Sequence, residues 1–436
     1  MNEKTSETSK QDNKQKKELK TRDGDEKYEN ENGWPSNTKI FLGIPLPILL
    51  LGFTSLFTDL SSDMIQAVLP EFVITILGSG YIALGLIYGI TDATANIIKG
   101  VSGWLSYRLK HRKKLILAGY SLSNLVAKPL IGFQTDPIPV LFLKAGDRIG
   151  KGIRTSPRDA LIGYYSRQKS GRAFGIHRAM DTTGAIIGPL LGGLLIFLSF
   201  TINQVIIFSI VPGFIAIIFI FFVSDVKQRK KVGNRKNTEK KDEGKINREK
   251  INKNLLKTIS VLAMVEFASL NTGFLIARTG NFIPVQWVTL LYALLNVIYA
   301  IVSIYAGRLS DSIGRKKIII TGLIILIITS TILALPFGSQ NMTMIVIIIA
   351  SFIMFGVYLG IVDPTSRAMV SDLSKTKKGK SYGLYYLLVG LLSIPETVIF
   401  GLIWEFYGAT PAFLYSAFVL IACALIFGFG IKETIH

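Results

Sequence analysis

Residues 203–224 read NQVIIFSIVPGFIAIIFIFFVS, an apolar run without a single charged side chain. A run of more than about 18 such residues is long enough to cross the hydrocarbon core of a bilayer as a helix. The chain has 436 residues, and from residue 41 onwards further apolar runs alternate with short charged segments. Its 49% hydrophobic and 18% charged residues look almost globular as averages, so the segregation decides the class. This separation of apolar runs from charged segments excludes a soluble enzyme.

The apolar runs and the residues that break them predict an all-α polytopic membrane protein with twelve transmembrane helices. We place these helices at residues 45–76, 81–104, 115–134, 138–157, 173–198, 203–224, 257–279, 286–307, 318–337, 342–363, 381–403 and 410–431.

The links between the predicted helices alternate in charge along the chain. The links near Gly78, Asp136, Ser199, Asn281, Ser339 and Glu405 are short and nearly free of Lys and Arg. The other links, at 108–114, 154–172, 227–257, 308–317 and 367–380, are basic. Because Lys and Arg accumulate in cytoplasmic loops near helix ends, we predict a multi-pass plasma-membrane protein with both termini in the cytoplasm.

Charge also divides the chain into five parts. We predict a disordered cytoplasmic tail over 1–40, six-helix bundles over 41–224 and 257–431, a basic cytoplasmic linker over 225–256, and a cytoplasmic C-terminus over 432–436. The linker is interpreted as a solvated tether, with a contact to anionic lipid as the alternative.

The chain has a net charge of +20, which could suggest binding to nucleic acid. Its Lys and Arg residues lie between apolar helices and match no nucleic-acid recognition module, so we expect no nucleic-acid partner. The single Cys423 excludes an intrachain disulfide.

An internal repeat supports the division into two halves. Residues 103–108 read GWLSYR and are followed by HRKK at 111–114, while residues 307–312 read GRLSDS and are followed by GRKK at 314–317. Both copies lie between the second and third predicted helix of their half. A second repeated segment lies at the start of the fifth and the eleventh helix. It reads GRAFG at 171–175 and GKSYG at 379–383.

At these residues the chain resembles the major facilitator superfamily, in which two six-helix bundles related by pseudo-two-fold symmetry enclose a central cavity. The resemblance covers residues 41–431. It implies a cytoplasmic gate motif, in which an acid latches the bundles against the positive end of a helix, here Asp311 against the helix that opens near Arg172. The first half departs from the motif, with Tyr107 and Lys110 where the family has Asp and Gly. The alternative to a latch is that both loops serve only to set the orientation of the helices in the membrane. The gate residues are Gly103, Arg108, Arg112, Gly307, Asp311, Gly314 and Lys316.

The fifth predicted helix resembles the antiporter motif of the same family, which implies efflux by exchange. Glycines four residues apart allow helix backbones to approach closely, and a proline weakens the helical hydrogen bonds. Close packing alone would explain the same residues. The motif comprises Gly184, Gly188, Pro189, Gly192 and Gly193.

Three further segments resemble a group of bacterial and archaeal permeases described as drug-efflux-like, with few assigned substrates. They are FTDLSSDM at 57–64, GDRIGKGIRT at 146–155 and GIHRAMD at 175–181. This resemblance indicates a lineage rather than a ligand.

Ionisable side chains inside predicted helices cost roughly 2.5–3.5 kcal/mol at mid-bilayer, so each needs a partner, water or a function. Asp59 and Asp63 lie one helical turn apart and can face a cavity together, where neighbouring acids favour binding of a proton. Arg148 would stabilise an ionised acid between steps. The alternative is permanent ion pairing, with Asp147, Arg178 and Asp181 forming a structural charge network.

Other polar positions are candidates for the substrate cavity, and their mixed signs leave the substrate's charge open. They are Asp92, Asn96, Glu266, Glu396, Lys128 and Arg278. The spacing of His177 and Asp181 would suit a metal only if further ligands converged, so we expect neither a metal nor a cofactor. The Gly-x4-Gly-Lys-Ser/Thr loop of ATP-driven proteins is absent from the sequence, so we expect gradients to drive movement.

These observations together predict a secondary transporter, monomeric in the lipid bilayer, that moves a small organic solute by alternating access. Efflux coupled to protons is the leading hypothesis. Uptake or exchange of a small metabolite or an organic anion, using Lys128 or Arg278, is the alternative on the same fold. A membrane-embedded enzyme built around His177 and Asp181 is a distant alternative, and the sparse nucleophiles argue against an enzyme.

Overall fold

The computed structural model describes residues 40–41, 44–105, 112–166, 170–223, 253–336, 342–374 and 378–433. Side chains at 100–105, 112, 170, 253, 378 and 380 are not described. The predicted N-terminal tail up to residue 39, the linker over 225–252 and residues 434–436 lie outside the described residues. Two short strands, β1 (Ile40–Phe41) and β2 (Ile44–Pro45), pair antiparallel just before the first helix.

The first half of the described chain forms six helical units. Helix α1 runs over Leu46–Glu71 and continues through a π-helical turn at Phe72–Ile76. The other five are α2 (Tyr81–Leu105), α3 (Arg112–Ser121, a π-helical turn at Leu122–Ala127, then Lys128–Ile131), α4 (Pro137–Ser166), α5 (Ser170–Phe197) and α6 (Ile202–Phe208 and Ile210–Phe222).

The second half forms six more units. Helix α7 is broken into Lys253–Ala268 and Thr272–Gly280, and the Asn271 side chain caps the second segment by accepting a 2.8 Å hydrogen bond from the Gly273 N–H. The others are α8 (Val285–Ile313), α9 (Arg315–Ala334), α10 (Met342–Leu373), α11 (Lys378–Tyr407) and α12 (Ala409–Gly430).

Ten of these described units are long and apolar enough to cross a membrane, and only α3 and α4 are not. Helix α4 carries Lys144, Asp147, Arg148 and Lys151 in its middle, which lowers its hydropathy. Four helices also extend beyond their predicted bounds of 138–157, 286–307, 342–363 and 381–403. They continue past the apolar run because a helix needs no apolar face where it leaves the bilayer.

Glycine contacts set how closely α1 and α5 pack. A Cβ at Gly184 would overlap the backbone carbonyl of Leu56, and one at Gly188 would overlap that of Leu60. Gly192 faces Met64 on the same side of α5, whereas Gly193 faces Thr289 of α8. The glycines at intervals of four therefore hold α5 against α1 within the first bundle, and the last one holds it against the second bundle.

The two bundles meet closely at the end where the helices are joined near Gly78, Asn281 and Gly408, which we call the short-link end; the opposite end is the basic-link end. There Tyr81 of α2 stacks on Trp404 of α11 with ring centroids 4.2 Å apart, and its backbone N–H donates a 2.6 Å hydrogen bond to Glu405. Along the same seam Gly85 and Gly89 lie against the α11 backbone around Thr397. The bundles are thus closed against each other at the short-link end.

Candidate functional site

A cavity of about 840 Å³ lies between the two bundles. Helices α1, α2, α4 and α5 line one wall, and α7, α10 and α11 line the other. Deep in the cavity Asp59 has 13% of its side chain exposed and Glu396 is 7% exposed. Towards the basic-link end the side chains of Asp159 and Asp363 are 43% and 45% exposed. The cavity is therefore reached from the basic-link end.

Two carboxylates meet where α1 and α5 border the cavity. The carboxyl groups of Asp59 in α1 and Asp181 in α5 are electrostatic neighbours. Two neighbouring carboxylates repel each other, and sharing one proton removes that repulsion. Nζ of Lys151 in α4 lies 3.8 Å from Oδ1 of Asp59. The pair can therefore hold one proton beside a fixed positive charge.

Asp63 lies one turn beyond Asp59 and has a different environment. Its Oδ1 accepts a 2.9 Å hydrogen bond from the hydroxyl of Tyr292 in α8. Asp63 is not among the residues that line the cavity. The two acids of α1 are thus divided between the cavity and the seam that joins the bundles.

Arg148 of α4 lines the cavity among several acids. Asp147, Asp92, Asp63 and Asp59 are its electrostatic neighbours. Within the described part of the chain it forms no ion pair within 4.0 Å, and its buried Nε has no hydrogen-bond partner. Arg148 therefore presents a positive charge to the cavity that no single carboxylate neutralises.

Four predicted cavity residues do line this space. Asp92 accepts a 2.9 Å hydrogen bond from Asn271 at the break in α7. Asn96 accepts a 3.3 Å hydrogen bond from Lys99. The other two, Glu266 and Glu396, project from the second bundle, and neither forms an ion pair with a cation among the described residues.

Lys128 and Arg278 are not at the cavity. Lys128 is 2% exposed inside the first bundle, where its ammonium donates hydrogen bonds to the side-chain oxygen of Asn124 at 2.8 Å and to the carbonyl of Thr58 at 3.1 Å. Arg278 lies near the short-link end and donates a 3.0 Å hydrogen bond to the carbonyl of Leu335. Both basic groups serve contacts between helices in this structure.

The predicted charge network divides into two parts. Arg178 and Asp181 form an ion pair of 3.2 Å, and Arg178 also donates a 3.2 Å hydrogen bond to the hydroxyl of Tyr299 in α8. Asp147 is separate from them, buried in the first bundle and hydrogen-bonded by Ser123 of α3.

The contact between Arg178 and Tyr299 continues into the second bundle. The Tyr299 hydroxyl donates a 2.9 Å hydrogen bond to Asp363 of α10, which pairs with Arg367 at 2.5 Å. Tyr299, Asp363 and Arg367 were not among the residues predicted for the site. The signal was an acid and a base four residues apart at the end of an apolar run, where the helix was predicted to stop.

The gate motif of the second half forms contacts within its own half. Asp311 pairs with Arg315 at 2.5 Å, and the backbone N–H of Arg315 donates a 2.9 Å hydrogen bond to Glu433. Gly314 has a φ of 104°, a conformation that favours glycine. Lys316 also donates its backbone N–H to Glu433, and Gly307 has open space around it. Among the described residues Asp311 therefore pairs within its own half, with Arg315, and no ion pair joins it to α5.

The gate residues of the first half are largely outside the description. Gly103 and Arg112 are described only as helical backbone, and Arg108 lies outside the described residues.

His177 is buried in the first bundle with its Nε2 3.0 Å from the Ser55 hydroxyl. No group of three or more His, Cys, Asp or Glu side chains that could hold a metal is found where the chain is described.

The sequence matches a family model described as Major Facilitator Superfamily over residues 51–290 and 259–434. An uncharacterized MFS-type transporter of Methanocaldococcus jannaschii is 33% identical over 392 residues, which cover 87% of this chain and 93% of that protein. The multidrug resistance protein MdtG of Citrobacter koseri is 26% identical over 311 residues, 69% of this chain and 74% of that protein.

Solved transporter structures share the fold. The nucleoside transporter NupG aligns with a TM-score of 0.69 at 13% identity, covering 88% of this chain and 100% of that one. A peptide transporter, POT, aligns with a TM-score of 0.73 at 12% identity, covering 89% and 95%. At these identities the likeness concerns the fold alone.

Proposed function

Because the chain belongs to the Major Facilitator Superfamily, a family of transporters, we propose that it exports a small organic solute across the plasma membrane in exchange for protons. In this proposal it works as a monomer with both termini in the cytoplasm. The cavity between the bundles is the observation that carries the proposal, since it is accessible from one end and closed at the other.

Alternating access follows from the way the bundles are joined. The closed short-link end depends on stacking, hydrogen bonds and close glycine packing between α2 and α11, with a similar glycine contact between α5 and α8. Contacts of this kind separate without breaking either bundle. Rocking of the bundles would open this end and close the other, which moves the cavity from one face of the membrane to the other.

The proton is assigned to the pair formed by Asp59 and Asp181. When both carboxylates lose the proton they repel each other, and the positive charges of Lys151 and Arg178 draw them apart. Arg178 also contacts Tyr299 of the other bundle, so a change in its pairing reaches the contact between bundles. Arg148 stabilises the deprotonated state from α4. Asp63, through Tyr292, ties α1 to α8 and responds to the movement.

The direction of transport is supported by two observations. The glycines and Pro189 of α5 have the pattern of an antiporter motif, and they pack α5 against α1 beside the proton pair. The relatives with a printed function include a multidrug resistance protein.

Uptake or exchange of a metabolite is the second candidate. It is favoured by the polar lining of the cavity, where charged side chains of both signs outnumber the aromatic ones. A hydrophilic metabolite is matched to such a lining better than an apolar drug.

Proteoliposomes that contain a pH-sensitive dye test both candidates. With an acidic lumen imposed, solutes added outside are screened for a change in lumenal pH. Exchange with protons predicts that a transported solute speeds the loss of the gradient in wild-type vesicles, and that Asp59→Asn vesicles respond no faster than empty ones. Solute flux that is identical with and without a pH gradient would overturn proton coupling, and the sign of the pH change separates exchange from co-transport.

A further inference from the structure

The two walls of the cavity carry opposite excess charge. The first bundle contributes six basic and four acidic residues to the described lining, whereas the second contributes three acidic residues and one basic residue. Because the walls belong to different bundles, a ligand between them experiences a positive side and a negative side.

Most of these charges already have partners. Lys151 pairs with Asp59, Arg158 with Asp159, Arg178 with Asp181, and Arg367 with Asp363. Asp92 is hydrogen-bonded by Asn271, Lys99 contacts Asn96 and the ring of Tyr386, and Arg154 stacks on Tyr120 at 4.2 Å.

Three charged groups of the lining have neither an ion pair nor one of these other side-chain contacts in the described part of the chain. Arg148 remains on the first wall, and Glu266 and Glu396 remain on the second. Glu396 is 7% exposed, and its Oε1 is buried without a hydrogen-bond partner. The same holds for Nε of Arg148 and for Nε and Nη1 of Arg154, whose guanidinium is held by its stacking on Tyr120. A buried polar atom without a partner destabilises the protein, so a ligand that supplies the partner binds more tightly.

The surroundings of each group indicate what it would bind. Tyr358 and Tyr385 line the cavity on the same wall as Glu266 and Glu396, and they are 3% and 8% exposed. Carboxylates beside aromatic rings suit an ammonium group, which gains from both. The guanidinium of Arg148 suits a carboxylate or another acidic group, which it can bind through two parallel hydrogen bonds.

We propose that the cavity binds a small dipolar solute, with a protonated amine held by Glu266 and Glu396 and an acidic group at its other end held by Arg148. Such a solute pairs with both bundles at once and is neutral overall. It replaces the missing partners on each wall without adding net charge to the cavity. The inference rests on the proposed transport function and names its class of substrate.

The test uses purified full-length protein and matched soluble probes. The dipolar probes are 4-(aminomethyl)benzoate and the ω-amino carboxylates with four to eight carbon atoms, which vary the distance between the charges. The singly charged controls are 4-methylbenzylamine, 4-methylbenzoate, and the alkylamines and alkanoates of the same lengths. Affinity is taken from the concentration dependence of the melting temperature, since binding to the folded state raises it by mass action.

We expect at least one dipolar probe to bind about 10-fold more tightly than both of its singly charged analogues. Glu396→Gln and Glu266→Gln should reduce that advantage by weakening the dipolar probe and the amines, while carboxylate binding is unchanged. Arg148→Gln should weaken the dipolar probe and the carboxylates and leave amine binding unchanged. Each variant is compared with its own melting temperature without probe, so a loss of stability is not mistaken for a loss of binding.

Matched controls lie outside the cavity. Glu71→Gln at the far end of α1 and Arg172→Gln at the exposed start of α5 should bind the dipolar probe as the wild type does. The inference is overturned if no dipolar probe exceeds its singly charged analogues, or if the three cavity variants affect amines and carboxylates alike. In either case, proton-coupled flux of another solute in proteoliposomes would leave the proposed transport function standing. If a dipolar probe binds but is never transported, the result counts against the transport function and not against the binding site.

Discussion

The carboxyl group of Asp59 in α1 lies beside that of Asp181 in α5, at the point where the two helices border the cavity. Gly184, three residues beyond Asp181, lies against the carbonyl of Leu56, three residues before Asp59. The close approach of the two backbones and the meeting of the two acids are therefore consequences of the same packing.

Replacing either acid of this pair should remove coupling to protons. In Asp59→Asn and Asp181→Asn the remaining carboxylate has no acid with which to share a proton. We expect proton flux driven by solute to fall by about tenfold or more, equivalent to about 1.4 kcal/mol. The measurement is the rate of change of lumenal pH in proteoliposomes after solute is added.

Asp63→Asn is the matched control for that experiment, because it makes the same change one turn away on the same helix. Its partner is Tyr292 and not a second acid, so we expect the response to a pH gradient to persist. Equal loss of coupling in Asp63→Asn and Asp59→Asn would contradict the assignment of the proton to the pair.

A methyl group at Gly184 should separate α1 from α5. In Gly184→Ala the new Cβ meets the Leu56 backbone, which cannot move without displacing the helix, so we expect a loss of about 1–3 kcal/mol in stability and weaker proton coupling. Gly175→Ala, on the same helix with open space around it, should leave coupling unchanged and raise stability by up to about 1 kcal/mol, since alanine favours the helix. Thermal unfolding and the proteoliposome flux of the two variants measure the difference.

Sequence patterns predicted the helices and the packing face of α5, but not which acids would meet. Asp59 and Asp63 do share a helix face. Their separation of four residues is about 6 Å along the axis, and over that distance the neighbour changes from Asp181 of α5 to Tyr292 of α8. The choice of partner depends on how α5 and α8 pack, which the sequence of α1 does not contain.

The position of Lys128 could not be predicted from the sequence because the helix is irregular just before it. The π-helical turn at Leu122–Ala127 precedes it and adds a residue to one turn, which rotates the following residues by about 100° relative to a regular helix. Lys128 lies beyond this turn, where it meets Asn124 and Thr58. A regular 3.6-residue pattern could not anticipate this rotation.

Lys128 and Arg148 should therefore differ when each is replaced by Met. Removing the Lys128 ammonium leaves the Asn124 oxygen and the Thr58 carbonyl without it, so we expect Lys128→Met to lower stability by about 1–3 kcal/mol with little effect on cavity ligands. Arg148→Met removes a side chain that forms no ion pair in the described chain, so ligand affinity should fall more than stability. Melting temperatures with and without the dipolar probes separate the two effects. A larger loss of affinity in Lys128→Met would contradict this division.

A bulky side chain at Gly89 should prevent closure of the short-link end. A Cβ there would lie 2.9 Å from Cα of Ile394 and 3.1 Å from the carbonyl oxygen of Ser393, both in α11. Gly89→Leu should push α2 and α11 apart and expose the cavity from that side.

Labelling of a cysteine in the cavity measures this exposure. Cys423, the only cysteine in the chain, is first replaced by Ser, and Ser269 in the cavity lining is replaced by Cys. A membrane-impermeant thiol reagent then labels position 269 only when the cavity is open to the outside. We expect labelling of intact cells to rise about tenfold, the effect of about 1.4 kcal/mol on the equilibrium between the two states. Gly163→Leu, at an exposed glycine of α4 with nothing within 4 Å, should label like the parent. Unchanged labelling in Gly89→Leu would mean that the contact between α2 and α11 does not control access.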